Sequence, residues 1–172
     1  CLEFKSKKLY YIATMEPYGK EAKKIFNDAN KMLDFIEENN IVDIKGVFGI
    51  FKANSNGDNI ELYNKDKSLA ATFNLFREQR KKNKGPYLCL SDFIAPKEIN
   101  KDDYLGGFIV TTGLKADEYA KKLEAEGDSY NAIMLKLVCD RLAEAFAEKL
   151  HEDIRKNYWG YAKDENLSMK EI

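Results

Sequence analysis

A long amphipathic run near the end of the sequence constrains the fold more than any other feature. It covers residues 131–158 and reads NAIMLKLVCDRLAEAFAEKLHEDIRKNY. At about 100° per residue, apolar side chains fill one broad arc of the predicted helix, and ionisable ones lie opposite, within roughly 80° of each other. The apolar arc comprises Leu135, Val138, Leu142, Ala145, Phe146, Leu150 and Ile154. The ionisable stripe comprises Asp140, Glu144, Glu148, His151 and Arg155.

Two explanations fit this ionisable stripe. The first is a solvated helix face with pairs at i,i+4 spacing, such as His151 with Arg155. The second starts from the acidic residues. Asp140, Glu144 and Glu148 follow each other at i,i+4, and such like charges repel in an isolated helix. An external positive partner would relieve this repulsion, and spacing alone leaves both explanations open.

Length and charge exclude several classes of protein. A chain of 172 residues has room for a single domain or a large piece of one. Its 28 basic residues balance 29 acidic ones, so no basic field is available to bind a nucleic-acid backbone. No apolar run approaches the roughly 18 residues of a membrane-spanning helix, and no secretory leader opens the sequence. We therefore expect neither nucleic-acid nor membrane partners.

The cysteines indicate a reducing compartment. Cys1, Cys89 and Cys139 are far apart and form no CxxC motif, and the last two lie in apolar runs. We interpret them as reduced thiols of a cytoplasmic protein. The sequence starts without Met and has no closing element after Tyr158, which favours a piece of a longer protein.

Periodicity predicts alternating helices and strands. Helices are expected at residues 19–40, 65–82, 115–127 and 131–158, with Asp128 or Ser129 capping the last. Strands are expected at 46–54, 59–63, 87–95 and 105–113, the first two joined at Asn56-Gly57. The basic end of the second helix is interpreted as a complement to the helix dipole and a solvated end. The prediction is an α+β fold with a mostly antiparallel, twisted sheet packed with several helices.

No catalytic or metal-binding signature stands out. His151, the sole histidine, has no Ser or Cys at a recognisable spacing and no second histidine for a zinc site. It is interpreted as a surface residue near the end of its helix. Gly46 and Gly49 lie within a predicted strand rather than a strand-to-helix turn, as do Gly106 and Gly107, so neither pair predicts a phosphate cradle.

Four segments nevertheless resemble a known family. They read GVFGIFKANSNGDNIELY (46–63), CLSDFIAPKE (89–98), DYLGGFIVTTG (103–113) and DSYNAIMLKLVCDRLAEAFAEKLHEDIRKNYWGYAKDENLS (128–168). In these segments the chain resembles the activation domain of cobalamin-dependent methionine synthase, in register over about residues 21–172. The combination of DRLAEAFAE, LHE, RK and WGYA is the most specific part of the resemblance.

The resemblance implies a function that the residues alone do not indicate. In that family a cobalamin cofactor passes a methyl group from methyltetrahydrofolate to homocysteine, and its cobalt is occasionally oxidised to an inactive state. The activation domain binds S-adenosylmethionine, docks on the cobalamin-binding domain and supports reduction by a flavodoxin-type protein before remethylation. Such a domain works by positioning cofactors, which agrees with the lack of a nucleophile. The parent would be a methyltransferase, and this chain would be inactive alone.

Two residues receive roles from the resemblance. The family's glutamate that contacts S-adenosylmethionine matches Glu144, and a carboxylate suits the ammonium group or the sulfonium field of that ligand. Asp140, one turn earlier, would face the cobalamin-binding domain. Both roles would supply the acidic stripe with the cations it needs.

Two departures from the family are expected to matter. The family has an aromatic segment with an Asp before the first helix, and FKSKKLYYIATMEPYG (4–19) does not match it. The family's RPAPGYP loop belongs about twenty residues beyond ENLS, after the sequence stops at Ile172. A pocket lacking these parts would leave polar groups of the ligand unpaired and would bind it weakly.

Three hypotheses stay open. The chain is a single-domain fragment (1–172) of an activation domain that works as the family does. Alternatively, it is an interaction module that caps the cobalamin-binding domain or receives flavodoxin without binding S-adenosylmethionine. The third is a generic α+β domain in which the motifs serve packing alone.

Overall fold

The computed structural model describes residues 18–167 of the chain. The predictions made for Cys1 and for the segment before Gly19 therefore lie almost entirely outside the described residues. The helices are α1 (Gly19–Glu38), α2 (Lys115–Ala125) and α3 (Ser129–Asp153), and α3 continues into a π-helical turn, Ile154–Tyr158. The strands are β1 (Lys45–Asn56), β2 (Asn59–Tyr63), β3 (Leu69–Asn74) and β4 (Asp103–Thr111).

The four strands form one sheet in the order β3-β2-β1-β4. β1 pairs with β2 and β2 pairs with β3, both antiparallel, with Ala53 opposite Leu62 and Ile60 opposite Phe73. The predicted α+β fold with a mostly antiparallel sheet is thus confirmed. The chain divides into two compact units, and the boundaries fall within β1 and within β4. The first runs to Val47 and resumes at Ile109, and the second is Phe48–Phe108.

The first unit is held together by the buried face of α3. Leu135 is fully buried, and Val138 and Cys139 lie beside it. They pack with residues of α1, α2 and the segment after α1: Met32, Ile36, Ile41, Ala116 and Ala120. Leu135 and Val138 of the predicted apolar arc are therefore part of this core, and Leu142 packs against it.

Two local features shape the start of α3 and the start of β1. Asp128 caps α3, since its carboxylate accepts a hydrogen bond from the Asn131 backbone N–H at 3.1 Å. At the start of β1, a Cβ on Gly46 would stand 2.8 Å from the Phe146 ring and 3.1 Å from Leu150. Glycine at residue 46 therefore allows the first residues of β1 to lie close to α3.

The second unit has a smaller core on one face of the sheet. Ala53, Ile60 and Leu62 are buried there. Leu75 after β3, Ile94 after the turn at Leu90–Phe93, and Leu105 in β4 pack against them. Side-chain bonds from Asn54 to the carbonyl oxygens of Ala95 and Lys101, at 3.1 and 2.8 Å, fix the segment before β4 to β1.

The predicted helix at 65–82 is wrong. Leu69–Asn74 is the edge strand β3, and no helix follows it before residue 90. The decisive signal is the turn from Asn64 to Ser68, in which Asp66 accepts bonds from the backbone N–H and hydroxyl of Ser68 at 2.9 and 2.6 Å. Such Asx turns reverse the chain and place the next residues beside β2. Because this helix is absent, the interpretation of the basic residues after β3 as the end of a helix is also wrong.

The predicted strand at 87–95 is also wrong. Its centre is a single 3-10 turn, Leu90–Phe93, and a second one follows at Lys97–Ile99. The Asp92 carboxylate accepts a bond from the Cys89 backbone N–H at 2.8 Å, which closes the first turn. The apolar residues of this segment suggested a strand, but the local bond of Asp92 competes with sheet pairing.

Glu61 is a strongly stabilised carboxylate of the second unit. It is nearly buried and accepts bonds from Asn56 Nδ2, Tyr63 Oη and Lys97 Nζ at 2.8, 2.6 and 2.7 Å. These bonds, that of Asn56 first, lower the pKa of Glu61 from its ordinary 4.5 to about 2. The charged form is therefore the one that the folded chain favours.

The Glu61 contacts predict an acid-dependent loss of stability. Because the folded pKa is depressed, the contribution is complete above pH 4.5 and is lost as the pH falls through about 2. We expect Glu61→Gln to reduce the difference in unfolding free energy between pH 6 and pH 2.5, measured by urea titration. Glu37→Gln, at an exposed site on α1, is the control. Equal pH dependence of the two variants would contradict the assignment.

Candidate functional site

Asp140 and Glu144 lie one turn apart on α3, and both are exposed. The side chain of Glu144 is 48% exposed, so its carboxylate is not sealed in the core. The packing of Val138 and Cys139 in the core turns this side of the helix outward. The structure therefore places both sequence-predicted site residues on one accessible surface of the first unit.

Arg141 is a partner of Glu144 that sequence reasoning missed. Its Nη2 donates to Glu144 Oε1 at 2.5 Å, at i,i+3 spacing. The signal was present, since Arg141 stands between the acidic residues of the stripe. The helix thus supplies part of the positive charge that was expected from outside. An exposed pair of this kind contributes at most about 1 kcal/mol, so a ligand cation can displace it at low cost.

The Asp140 charge acts on its buried neighbour. Burial raises the pKa of the Cys139 thiol, and the charge of Asp140 adds to the increase. A thiol held in its protonated form is a poor nucleophile and packs as a small apolar side chain. Cys89 and Cys139 are both free and buried, as the sequence predicts.

The ionisable stripe ends in a buried ion pair rather than in solvent. The side chain of Arg155 is 6% exposed and that of Glu165 is 13% exposed. Arg155 Nε and Nη2 donate to Glu165 Oε2 at 2.9 and 2.7 Å, while Nη1 lies 2.9 Å from His151 Nδ1. Sequence reasoning placed Arg155 on the ionisable face and missed this partner, because Glu165 lies beyond the helix. His151 itself is exposed, as predicted.

The state of His151 follows from this cluster. Partial burial lowers the pKa of His151 below its ordinary 6.5, and the positive charge of Arg155 lowers it further. The ring is therefore neutral at pH 7, and Nδ1 accepts the bond from Arg155. His151 thus helps to fix the arginine that holds the following segment.

The WGYA motif explains how the chain returns to α3. The backbone N–H of Trp159 bonds to the carbonyl of Ile154 at 2.8 Å, which widens the last turn. Gly160 then adopts φ +76°, a conformation that most L residues avoid. The Ala162 N–H bonds to the Arg155 carbonyl at 3.1 Å, and the reversed chain brings Glu165 to Arg155. The motif therefore sets the direction in which the chain leaves the helix.

Two depressions mark the surface of the first unit. A groove between α1 and α3 has a volume of about 300 Å³ and is lined mainly by apolar side chains, with Arg141 and Asn30 among them. A cleft of about 510 Å³ lies among the three helices, where Tyr130 Oη donates to Asp28 at 2.9 Å. Neither depression is lined by Asp140 or Glu144. Arg141 links the apolar groove to the Glu144 carboxylate.

Residues 18–167 contain no group of three or more His, Cys, Asp or Glu side chains placed to hold a metal ion. In the same residues no helix combines the length and apolar character needed to cross a bilayer.

Comparisons with known proteins identify the family. The family model described as "Vitamin B12 dependent methionine synthase, activation domain" matches residues 3–172. A crystal structure of the MetH reactivation domain bound to AdoHcy is 47% identical, with a TM-score of 0.84. The match covers 94% of this chain and 50% of that one, so this chain spans about half the length of the solved relative. The chain belongs to the activation-domain family of vitamin B12-dependent methionine synthases, which are methyltransferases.

Proposed function

We propose that this chain acts in the reactivation of a cobalamin-dependent methionine synthase in the cytoplasm. It would bind S-adenosylmethionine and dock on the cobalamin-binding domain of the same enzyme. The solved relative carries AdoHcy, the product that remains when S-adenosylmethionine gives up its methyl group. When bound, the two cofactors would supply the methyl-transfer chemistry, with a flavodoxin-type protein as the source of electrons. The residues of this chain would bind and orient those cofactors.

The observation that carries the proposal is the exposed pair of carboxylates on α3. The resemblance matches Glu144 to the family's glutamate that contacts S-adenosylmethionine, and its exposed carboxylate already binds one cation, Arg141. A ligand ammonium or sulfonium can take the place of that arginine, because an exposed ion pair is weak. Asp140 is one turn away on the same side, where a docking domain can meet it.

The segment after α3 supports the same proposal. The Arg155–Glu165 pair fixes the chain as it leaves the helix, over a motif that the family shares. Ordering this segment in advance lowers the conformational entropy that binding must overcome. Arg155 and Glu165 are thus positioning residues, and neither is required to touch the ligand.

The groove between α1 and α3 is the feature on which a second candidate function would rest. It is not lined by Glu144, and at about 300 Å³ it is apolar enough to receive another protein surface. On this alternative the chain is an interaction module that caps the cobalamin-binding domain without S-adenosylmethionine.

Absorption spectroscopy separates the two functions. The chain is mixed with a cobalamin-binding domain, and the change from base-on to base-off cobalamin is followed with and without S-adenosylmethionine. The proposal predicts a change that S-adenosylmethionine strengthens and that Asp140→Asn weakens about tenfold or more, as for a lost charged contact at an interface. Glu148→Gln on the same helix serves as the control. A spectral change that is the same with and without S-adenosylmethionine favours the interaction module. A spectrum that mixing leaves unaltered rejects both functions.

A further inference from the structure

The turn between β1 and β2 contains the only Asn-Gly step of the sequence. β1 ends at Asn56 and β2 begins at Asn59, which pairs with it, so Gly57 and Asp58 form a two-residue loop. Gly57 has φ +60°, a conformation that favours glycine, and a Cβ placed on it would meet no atom within 4 Å. The peptide bond after Asn56 is therefore unshielded on the surface of the second unit.

The side chains on either side of Gly57 are held by hydrogen bonds. Asn56 Nδ2 donates to Glu61 Oε1 at 2.8 Å, across the hairpin. The Asp58 carboxylate accepts bonds from Arg77 Nε and Nη2 at 3.0 and 2.7 Å. In the described part of the chain, by contrast, the Gly57 N–H donates to no backbone carbonyl. The turn thus keeps an unbonded peptide nitrogen next to the side-chain amide of Asn56.

A peptide nitrogen in this position can attack the side chain that precedes it. The Gly57 nitrogen loses its proton to base and forms a bond to Asn56 Cγ, while the Cγ–Nδ2 bond breaks and the nitrogen leaves as ammonia, with a proton from water. Water then opens the succinimide ring at either of its two carbonyl carbons. One opening gives aspartate, and the other gives isoaspartate, in which the backbone runs through the side-chain methylene. Glycine favours the attack because it has no side chain to hinder it.

We propose that Asn56 is a site of spontaneous deamidation and isomerisation through this succinimide, and that Glu61 controls the rate. Attack requires the Asn56 side chain to turn Cγ toward the Gly57 nitrogen, whereas the bond to Glu61 holds the amide toward β2. Glu61 is a fixed acceptor, since its side chain is 12% exposed and also binds Tyr63 and Lys97. The inference is independent of the proposed function, because neither cofactor takes part.

The products of this reaction disturb the contacts of Glu61. An ionised aspartate at residue 56 has acceptor oxygens only, so the bond to Glu61 is lost. Two carboxylates then share one site, and their repulsion favours the protonation of one of them. Isoaspartate adds one backbone atom before the loop, which changes the loop length that fixes the pairing of Asn56 with Asn59. The modification therefore loosens the end of the hairpin that Glu61 stabilises.

Peptide mass spectrometry of the whole chain tests this site. The wild type, Glu61→Gln and the control Glu37→Gln are incubated in warm, mildly alkaline buffer, and the conversion of each asparagine is followed over time. We expect Asn56 to convert first, to a mixture of aspartate and isoaspartate that electron-transfer fragmentation distinguishes. Glu61→Gln should accelerate this conversion about fivefold, because a neutral acceptor holds the amide less tightly than a carboxylate. Glu37→Gln should leave the rate unchanged.

The variant Asn56→Asp measures the consequence of the modification. In urea unfolding at neutral pH it should lower the folding equilibrium constant about tenfold, because it removes a bond to a charged group and adds a repelling charge. Asn83→Asp adds the same charge at an exposed site of the second unit and is the matched control. This control should stay within about twofold of the wild type. Equal stability of the two variants would contradict the coupling to Glu61.

Other results of the incubation would overturn the inference. A wild-type chain in which Asn56 stays unchanged, or converts after other asparagines, would remove the site. Aspartate without isoaspartate would mean direct hydrolysis by water, without attack by the Gly57 nitrogen. Equal rates in Glu61→Gln and Glu37→Gln would remove the control by Glu61. Asn54 is buried and bonded to two backbone carbonyls, so its acceleration by the same factor in Glu61→Gln would indicate a general loosening of the fold instead.

Discussion

Replacing Arg155 with Ala is expected to lower the free energy of unfolding by about 3–5 kcal/mol, because it leaves a nearly buried carboxylate without its counter-ion. Glu165 is 13% exposed and receives three bonds of 3.2 Å or less from the guanidinium. The measurement is chemical denaturation at pH 7, with the slope of the transition compared among variants.

Two further variants make this expectation specific. Arg141→Ala removes the exposed partner of Glu144 on the same helix and should cost at most about 1 kcal/mol. The double variant Arg155→Met with Glu165→Leu replaces both charges by apolar groups and should recover most of the lost stability. Similar losses for Arg141→Ala and Arg155→Ala would mean that the buried pair contributes no more than a surface one.

Leu135→Ala is expected to destabilise the chain by about 2–5 kcal/mol, because it removes buried methyl groups and leaves a cavity. Leu135 is fully buried in the core cluster of the first unit. Leu137→Ala is the matched control two residues further along α3, where the side chain is 56% exposed. The control should lose less than about 1 kcal/mol. Thermal or urea unfolding gives both values, and a Leu137 variant as unstable as the Leu135 variant would contradict the assigned orientation of α3.

The sequence predicted the elements whose own pattern determines them. The apolar arc of α3 repeats over many turns, so its burial did not depend on knowing its partners. Asp128 capped the helix as expected, because capping is decided within a few residues. The strand β3 was missed because Leu69, Phe73 and Phe76 also recur at helical spacing. Its pairing with β2 is a tertiary contact that overrode that local pattern.

The placement of the candidate site residues on the helix surface was predictable to a similar extent. The stripe and the resemblance together pointed to Asp140 and Glu144, and both are exposed on α3. The partner Arg141 follows from i,i+3 spacing and was available in the sequence. The contact between Arg155 and Glu165 could not be predicted from the sequence. The widened turn and Gly160 bring Glu165 back to Arg155 through backbone geometry that no periodicity encodes.

Isothermal titration calorimetry with S-adenosylmethionine tests the central claim, that Glu144 holds a cation of the ligand. The wild-type chain, Glu144→Gln and the control Glu148→Gln are titrated under identical conditions. We expect the wild type and the control to bind alike, and Glu144→Gln to bind about tenfold or more weakly, as for the loss of a charged hydrogen bond. Binding by Glu144→Gln that equals the wild type, or no binding by the wild type, would contradict the account.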